Sequence, residues 1–280
     1  MIVVKEFQDR QFTTKEELFT ALRENKNTLI AQKKMITKEA DATFHYVGIE
    51  NDKGEVVKAE AMPITDANTL KAKLVINTTN LLDSHNDVHL KGIWNKSVKE
   101  QKNILLLKEH RMTFDHIITD NVKATVKDMQ WSELGYNFKG TTEALTFDAT
   151  MSKERNEYMV EQYAKGYVKE HSVGMRYVKL ELAINSESKW DAEEKAVWDK
   201  YYPEIVNKEQ AGERGYFWAV TEAKIVEGSA VVKGSNYATP TISVEAVKDT
   251  PTEQNEPLLD TQAEQEAQKE QLKQLLKKLK

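Results

Sequence analysis

The apolar residues of this chain come in short runs, and that pattern limits what the chain can fold into. The uncharged run at residues 104–107, for example, is far shorter than the roughly 18 residues that a membrane-spanning helix needs. Short extended runs bounded by turn residues are typical of strands, and they recur over residues 74–147 and 167–247. The sequence therefore predicts a β-rich core and no membrane span.

Two segments depart from this pattern and favour helix. Residues 152–164 begin at a serine that suits a helix N-cap and end before Gly166, a typical helix stop. Ser188 and Asp191 are spaced as a capping box, and they lie in residues 183–215, which interrupt the strands. We predict a helical insertion there, and the fold class is predicted to be α+β.

The two ends of the chain are more polar than its middle. Residues 1–67 are predicted to be a polar N-terminal extension with a hairpin at residues 44–61. Residues 248–280 begin as a linker that contains Pro251 and Pro257. They end in apolar residues at helical spacing, which predict a coiled-coil-like helix suited to self-association: Ala263, Ala267, Leu272, Leu275, Leu276 and Leu279.

Composition excludes several kinds of chemistry. The 280 residues include no cysteine, so a disulfide scaffold, a thiol nucleophile, an iron–sulfur cluster and a thiolate zinc site are excluded. The net charge of −5 comes without a clustered basic face, which gives little support to nucleic-acid binding. Residues 1–6 lack the basic and long apolar stretches of a secretory signal, so we expect a cytoplasmic protein.

Residues 83–89 contain a candidate metal site. Two imidazoles, His85 and His89, and the carboxylate of Asp87 are ligand types that divalent metals accept. The segment lacks the glutamate of an HExxH motif, and its Asn-Asp pair near Gly92 is typical of a loop. The sequence favours a turn here, and no metal is predicted.

His110 is a candidate general base. It follows the apolar run at residues 104–107, and catalytic groups are common where a rigid strand passes into a loop. The alternative is a solvated histidine at the end of a strand.

Ser172 is a candidate nucleophile. If residues 168–177 are extended, Ser172, Gly174 and Arg176 share one face of the strand. Because Gly174 has no side chain, we expect it to leave room for a substrate backbone to approach the hydroxyl. An ordinary strand serine is the alternative.

Glu227 is a candidate partner for a histidine. Strict alternation places it on the same face as Ala223 and Ile225, and a buried carboxylate needs a donor or a positive charge. The alternative is that the strand ends earlier and the carboxylate is in water. The chain lacks the GxSxG, Walker A, GxGxxG and HExxH motifs.

The order of these segments resembles that of the tailed-phage prohead maturation proteases. Residues 71–97 are similar to the opening block of that family, and His110 is similar to its histidine block. Residues 171–175, His-Ser-Val-Gly-Met, resemble its Ser-x-Gly strand, and residues 222–236 resemble its closing acidic block. The similarity covers residues 68–246.

The resemblance implies a serine endopeptidase domain over residues 68–247, with a β-barrel core wrapped by helices, as in herpesvirus assemblin. It implies that the enzyme cleaves scaffold and capsid proteins, and itself, inside the immature procapsid in the bacterial host cytoplasm. The implied partners are the major capsid protein and the scaffold protein, with no cofactor, metal, nucleic acid or membrane. The alternative function is a catalytically silent scaffold or capsid-assembly protein.

The resemblance also implies residue roles. Ser172 would be the nucleophile, His110 the general base and Glu227 the third member of the triad, with Glu222 as the alternative third member. A histidine could replace the acid, as in assemblin, and His116 and His171 are the candidates for that variant.

The oxyanion hole would consist of backbone N–H groups near Ser172, with Arg176 and Gly174 as helpers.

Overall fold

The computed structural model describes residues 1–35, 64 and 67–247, and these form a mixed α+β fold. The strands are β1 (Ile2–Val3), β2 (Gln11–Phe12), β3 (Thr69–Thr78), β4 (Asp87–His89), β5 (Leu106–Lys108), β6 (Ile117–Thr119), β7 (Val122–Gln130), β8 (Thr141–Ser152), β9 (Glu170–Ile184), β10 (Tyr216–Val231) and β11 (Thr241–Ala246). The helices are α1 (Lys15–Glu24), α2 (Lys26–Met35), α3 (Asn95–Glu100), α4 (Lys153–Ala164), α5 (Ala192–Tyr201) and α6 (Lys208–Arg214). Within these residues no helix is both long and apolar enough to cross a membrane.

Strand β10 organises a five-stranded sheet. It pairs antiparallel with β9 along one edge. Along its other edge it pairs in parallel with β4 near its beginning and with β5 near its end, and β6 pairs with β5. As a result Ser229 on β10 is paired with Leu107 on one side and with Ser172 on the other. The end of β5 and the start of β9 therefore lie at the same level of the sheet.

A second, four-stranded antiparallel sheet has the order β11-β3-β8-β7. Backbone hydrogen bonds connect the beginning of β9 to the segment that leads into β11. The N–H of His171 donates to the carbonyl of Thr239 at 3.1 Å, and the N–H of Thr241 donates to the carbonyl of Lys169 at 3.3 Å. These bonds connect the start of β9, in the five-stranded sheet, to the second sheet.

Residues 1–35 are part of the folded core, so the prediction of a polar extension is wrong for this part of the chain. Phe12, Leu18 and Leu22 are at most 1% exposed and pack in the main hydrophobic core. The spacing of Leu18 and Leu22 places both on one face of α1, whose charged residues point elsewhere. Residues 1–246 form one compact unit.

A buried lysine ties this N-terminal segment to the five-stranded sheet. The Lys33 ammonium lies 2.7 Å from an oxygen of Asp87, which is fully buried on β4, and 3.8 Å from Glu6. Glu6 in turn accepts hydrogen bonds from Trp218 Nε1 at 2.8 Å and from the Tyr216 hydroxyl at 3.0 Å. The two acidic groups compensate the charge of one buried cation.

The helical insertion is confirmed, and α5 and α6 lie in the chain between β9 and β10. Trp198 and Ala211 from these helices pack with Phe217 of β10. The predicted helix at residues 152–164 is α4, although the Ser152 side chain forms no capping hydrogen bond. The predicted hairpin at 44–61 and the linker and coiled-coil-like helix at 248–280 lie outside the described residues.

Candidate functional site

The site begins where β5 ends and the chain turns over β10. Glu109 and His110 have φ angles of 55° and 57°, the left-handed region that non-glycine residues seldom adopt. The N–H of Glu109 donates to the carbonyl of Ala230 at 3.0 Å, which continues the pairing with β10 by one step. This turn brings the side chain of His110 to residues of β10.

His110 and Glu227 form a buried pair. The imidazole Nδ1 lies 2.5 Å from Glu227 Oε1, and each side chain is only 4% exposed. A carboxylate can only accept, so Nδ1 is the donor of this bond, and in a neutral imidazole Nε2 is then an acceptor. Nε2 is buried and has no hydrogen-bond partner among the described residues, which is the arrangement that a general base requires before it takes a proton.

Ser172 lies on the same face of the sheet as Glu227. It is paired with Ser229 across β9 and β10, and directly paired residues of an antiparallel ladder point to the same side. Ser172 is 7% exposed. No hydrogen bond connects its hydroxyl to His110 Nε2, because that nitrogen has no partner within the described part of the chain.

A β-bulge sets the side to which Glu227 points. Ile225 is paired with Met175, and Glu227 is paired with Gly174, so β10 has one extra residue, Val226, at this point. The extra residue reverses the alternation. The predicted shared face of Ile225 and Glu227 is therefore wrong: Ile225 points into the main core, whereas Glu227 points to the opposite side with Gly174.

The space above Gly174 is filled by the protein itself. A Cβ atom at this position would lie 2.8 Å from Glu227 Cδ and 3.0 Å from its Cγ, much closer than ordinary carbon contacts. The expectation that Gly174 leaves room for a substrate backbone is therefore wrong, because the Glu227 side chain occupies that room.

The alternative acid, Glu222, is engaged elsewhere. Its carboxylate lies 2.8 Å from the Lys179 ammonium and 3.5 Å from that of Lys96. The hydrogen bond from Lys179 is the main reason why the pKa of Glu222 lies below its usual value. The structure thus brings Glu227, and not Glu222, to His110.

The two alternative histidines have other partners too. His116 Nδ1 lies 2.7 Å from the Thr113 hydroxyl and 3.1 Å from Asp115. His171 is fully buried, with Nε2 3.0 Å from the Tyr163 hydroxyl and Nδ1 3.1 Å from the Thr239 carbonyl. Burial lowers the pKa of His171 to about 4, so this imidazole is neutral at neutral pH.

Arg176, the predicted oxyanion helper, lies further along β9. It is four residues from Ser172, about 13 Å between Cα atoms in an extended strand, and it is exposed. It lines a surface depression together with Lys96, Glu100 and Glu222. A helper role for Arg176 stays a prediction.

The candidate metal ligands come together only in part. Asp83, His85 and Asp87 place one potential ligand atom each within 4.8 Å of the others, whereas His89 lies outside this group. One oxygen of Asp87 is already 2.7 Å from the Lys33 ammonium. Because that ammonium would repel a divalent cation, these residues do not fit a metal centre.

Sequence reasoning missed Ser229. Its hydroxyl donates to Glu227 Oε2 at 2.6 Å and accepts from the His110 backbone N–H at 3.0 Å. The available signal was its spacing, since residues two apart on a strand share a face.

Comparisons of the chain with protein-family models, with curated proteins and with solved structures find no match.

Proposed function

We propose that this protein is a serine endopeptidase in which Ser172 is the nucleophile, His110 the general base and Glu227 the group that orients the imidazole. The observation that carries the proposal is the buried His110–Glu227 pair, whose Nε2 has no partner among the described residues. Ser172 lies on the same side of the sheet as Glu227. No cofactor is part of the proposal.

In the proposed reaction His110 acts first as a general base and then as a general acid. His110 Nε2 takes the hydroxyl proton of Ser172 as the oxygen attacks the peptide carbonyl, and it later gives that proton to the leaving amine. Glu227 holds the tautomer and stabilises the imidazolium that forms. A water molecule, activated by the same nitrogen, then hydrolyses the acyl-enzyme.

Ser172 and His110 are not hydrogen-bonded to each other, so the proposed mechanism requires that peptide binding bring them within hydrogen-bond distance. Catalytic hydrogen bonds are often long in an empty site and tighten when substrate binds. Backbone N–H groups near Ser172 are the proposed oxyanion donors.

The substrate class rests on the resemblance to prohead maturation proteases. We propose that the protein cleaves scaffold and capsid proteins, and itself, inside the immature procapsid in the host cytoplasm. A barrel-like closure of the two sheets belongs to the same proposal and is supported by the bonds that connect β9 to the segment before β11. Self-association through residues 248–280 belongs to it as well.

The second candidate is a catalytically silent assembly protein, which the missing hydrogen bond between Ser172 and His110 favours. One experiment separates the two. The full chain is produced with and without its capsid protein, and intact masses are measured for the wild type, Ser172→Ala and His110→Ala. Ser132→Ala, at an exposed serine, and His116→Gln are the matched controls.

Processed products that are absent from both site variants and present in both controls support the peptidase. Unprocessed wild-type chains, or processing that continues in Ser172→Ala, would contradict it and favour the assembly protein or a different nucleophile.

A further inference from the structure

We infer that Ser229 is a positioning residue that holds His110 and Glu227 in register with each other, an inference that rests on the proposed function. The Ser229 side chain bonds to both His110 and Glu227, and it uses atoms that do not take part in the hydrogen bond between those two residues. It contacts the carboxylate of one and the backbone of the other.

The hydrogen bonds of Ser229 are fully used in this arrangement. A serine hydroxyl has one proton to donate, and this one goes to Glu227 Oε2 at 2.6 Å. The hydroxyl oxygen accepts from the His110 N–H at 3.0 Å. Ser229 is completely buried, so bulk solvent does not compete for either bond. The hydroxyl is therefore not a free nucleophile, although it lies directly opposite Ser172.

The bond to Glu227 leaves the carboxylate only one orientation. Oε1 is 2.5 Å from His110 Nδ1 while Oε2 is held by Ser229. Without the second bond the carboxylate could rotate about its last side-chain bond. Gly174 supplies the surface against which the group rests.

The bond to His110 secures an unfavourable backbone. Glu109 and His110 are consecutive non-glycine residues with left-handed φ angles, which persist only where the surroundings impose them. Two bonds from β10 do so here: Ala230 accepts from the Glu109 N–H, and Ser229 accepts from the His110 N–H. The position of the imidazole therefore depends on Ser229 through the backbone as well.

The test replaces Ser229 with alanine in the full chain. We expect kcat for a peptide substrate to fall about 10²-fold, because misplacement of a catalytic group by about 1 Å has an effect of this size. KM should change less than about twofold, since Ser229 is buried and does not reach substrate. Ser229→Cys keeps a weak donor, so its kcat should lie between those of the wild type and Ser229→Ala.

Ser97→Ala is the matched control. Ser97 is also buried and also bonded to β10, where its hydroxyl accepts from the Ile225 N–H at 2.9 Å. It therefore reports what the loss of a buried serine hydroxyl does to the fold alone, and kcat should remain near the wild-type value.

A second readout does not depend on activity. The proton between His110 Nδ1 and Glu227 should give a strongly downfield proton NMR resonance, which His110→Gln identifies by its loss. In Ser229→Ala, and also in Ser229→Cys if the alanine variant fails to fold, this resonance should move upfield or broaden. Ser97→Ala should leave it unchanged.

The outcomes separate the two proposals. If kcat and the resonance of Ser229→Ala equal those of the wild type while Ser172→Ala is inactive, the role of Ser229 is refuted and the peptidase stands. If Ser172→Ala remains active, the peptidase mechanism fails, and the resonance alone decides whether Ser229 holds the His110–Glu227 pair.

Discussion

Gly174→Ala is a sharp test of how closely the site is packed. The new Cβ would lie 2.8 Å from Glu227 Cδ, whereas carbon atoms normally approach to about 3.5–4.0 Å. The carboxyl carbon must therefore move by about 1 Å, and Oε1, which lies nearer still to the new atom, must move further. Because Glu227 Oε1 bonds to His110 and Oε2 bonds to Ser229, this displacement lengthens both bonds.

The expected effect follows from that displacement. A shift of about 1 Å in a catalytic group reduces the rate about 10²-fold, which corresponds to about 2.7 kcal/mol in the activation barrier. Overpacking of a buried site should lower the free energy of unfolding by about 1–3 kcal/mol. The variant should therefore fold and bind peptide but cleave it slowly.

The assay compares kcat/KM and urea denaturation for wild type, Gly174→Ala, Glu227→Asp and the double variant. Aspartate is one methylene shorter, so in the double variant the stability should return toward that of Glu227→Asp alone while activity stays low. Gly212→Ala, in α6, should keep full activity. A Gly174→Ala protein that cleaves at the wild-type rate, or single-variant effects on stability that simply add, would refute the packing argument.

Two further predictions concern stability. Lys33→Met removes the buried ammonium that lies beside the Asp87 and Glu6 carboxylates. Urea denaturation should show a loss of about 3–5 kcal/mol in the free energy of unfolding, part of which Asp87→Asn restores. A loss below about 1 kcal/mol would contradict a buried ion pair. Burial lowers the pKa of His171 from 6.5 to about 4, so only the unfolded chain takes up this proton between these pH values. Stability should therefore fall by up to about 3 kcal/mol as the pH decreases from 6.5 to 4. In denaturation measured as a function of pH, the free energy of unfolding of His171→Gln should decrease less steeply than that of the wild type. Identical slopes would show that His171 is not the source of this pH dependence.

The faces of β9 could be predicted from the sequence, because alternation is uninterrupted around Ser172 and Gly174. The position of Glu227 could not. The bulge at Val226 arises in the pairing of β10 with β9, and nothing in the local composition specifies an extra residue. The sequence predicts that Glu227 is buried, but it places the side chain on the opposite face of β10.

The N-terminal segment shows a second limit. Residues 1–35 are rich in charged residues, a composition that predicts a solvated extension. Several of their apolar residues, such as Leu18 and Leu22, are nevertheless buried in the core. Lys33, a charged residue of this segment, is also buried, because its ammonium lies beside the carboxylates of Asp87 and Glu6. Tertiary pairing of this kind leaves no periodic signal in the sequence.

The bond between Glu6 and Trp218 has a consequence for synthesis of the protein. The two residues are separated by 212 positions. At about 5–20 residues per second, a ribosome needs roughly 10–40 s to make the second after the first. During that interval the core that buries Phe12, Leu18 and Leu22 lacks the residues of β10, and we expect these side chains to be accessible to chaperones. Such distant pairing slows folding, and we expect residues 1–35 to reach their final place only after β10 has been synthesised.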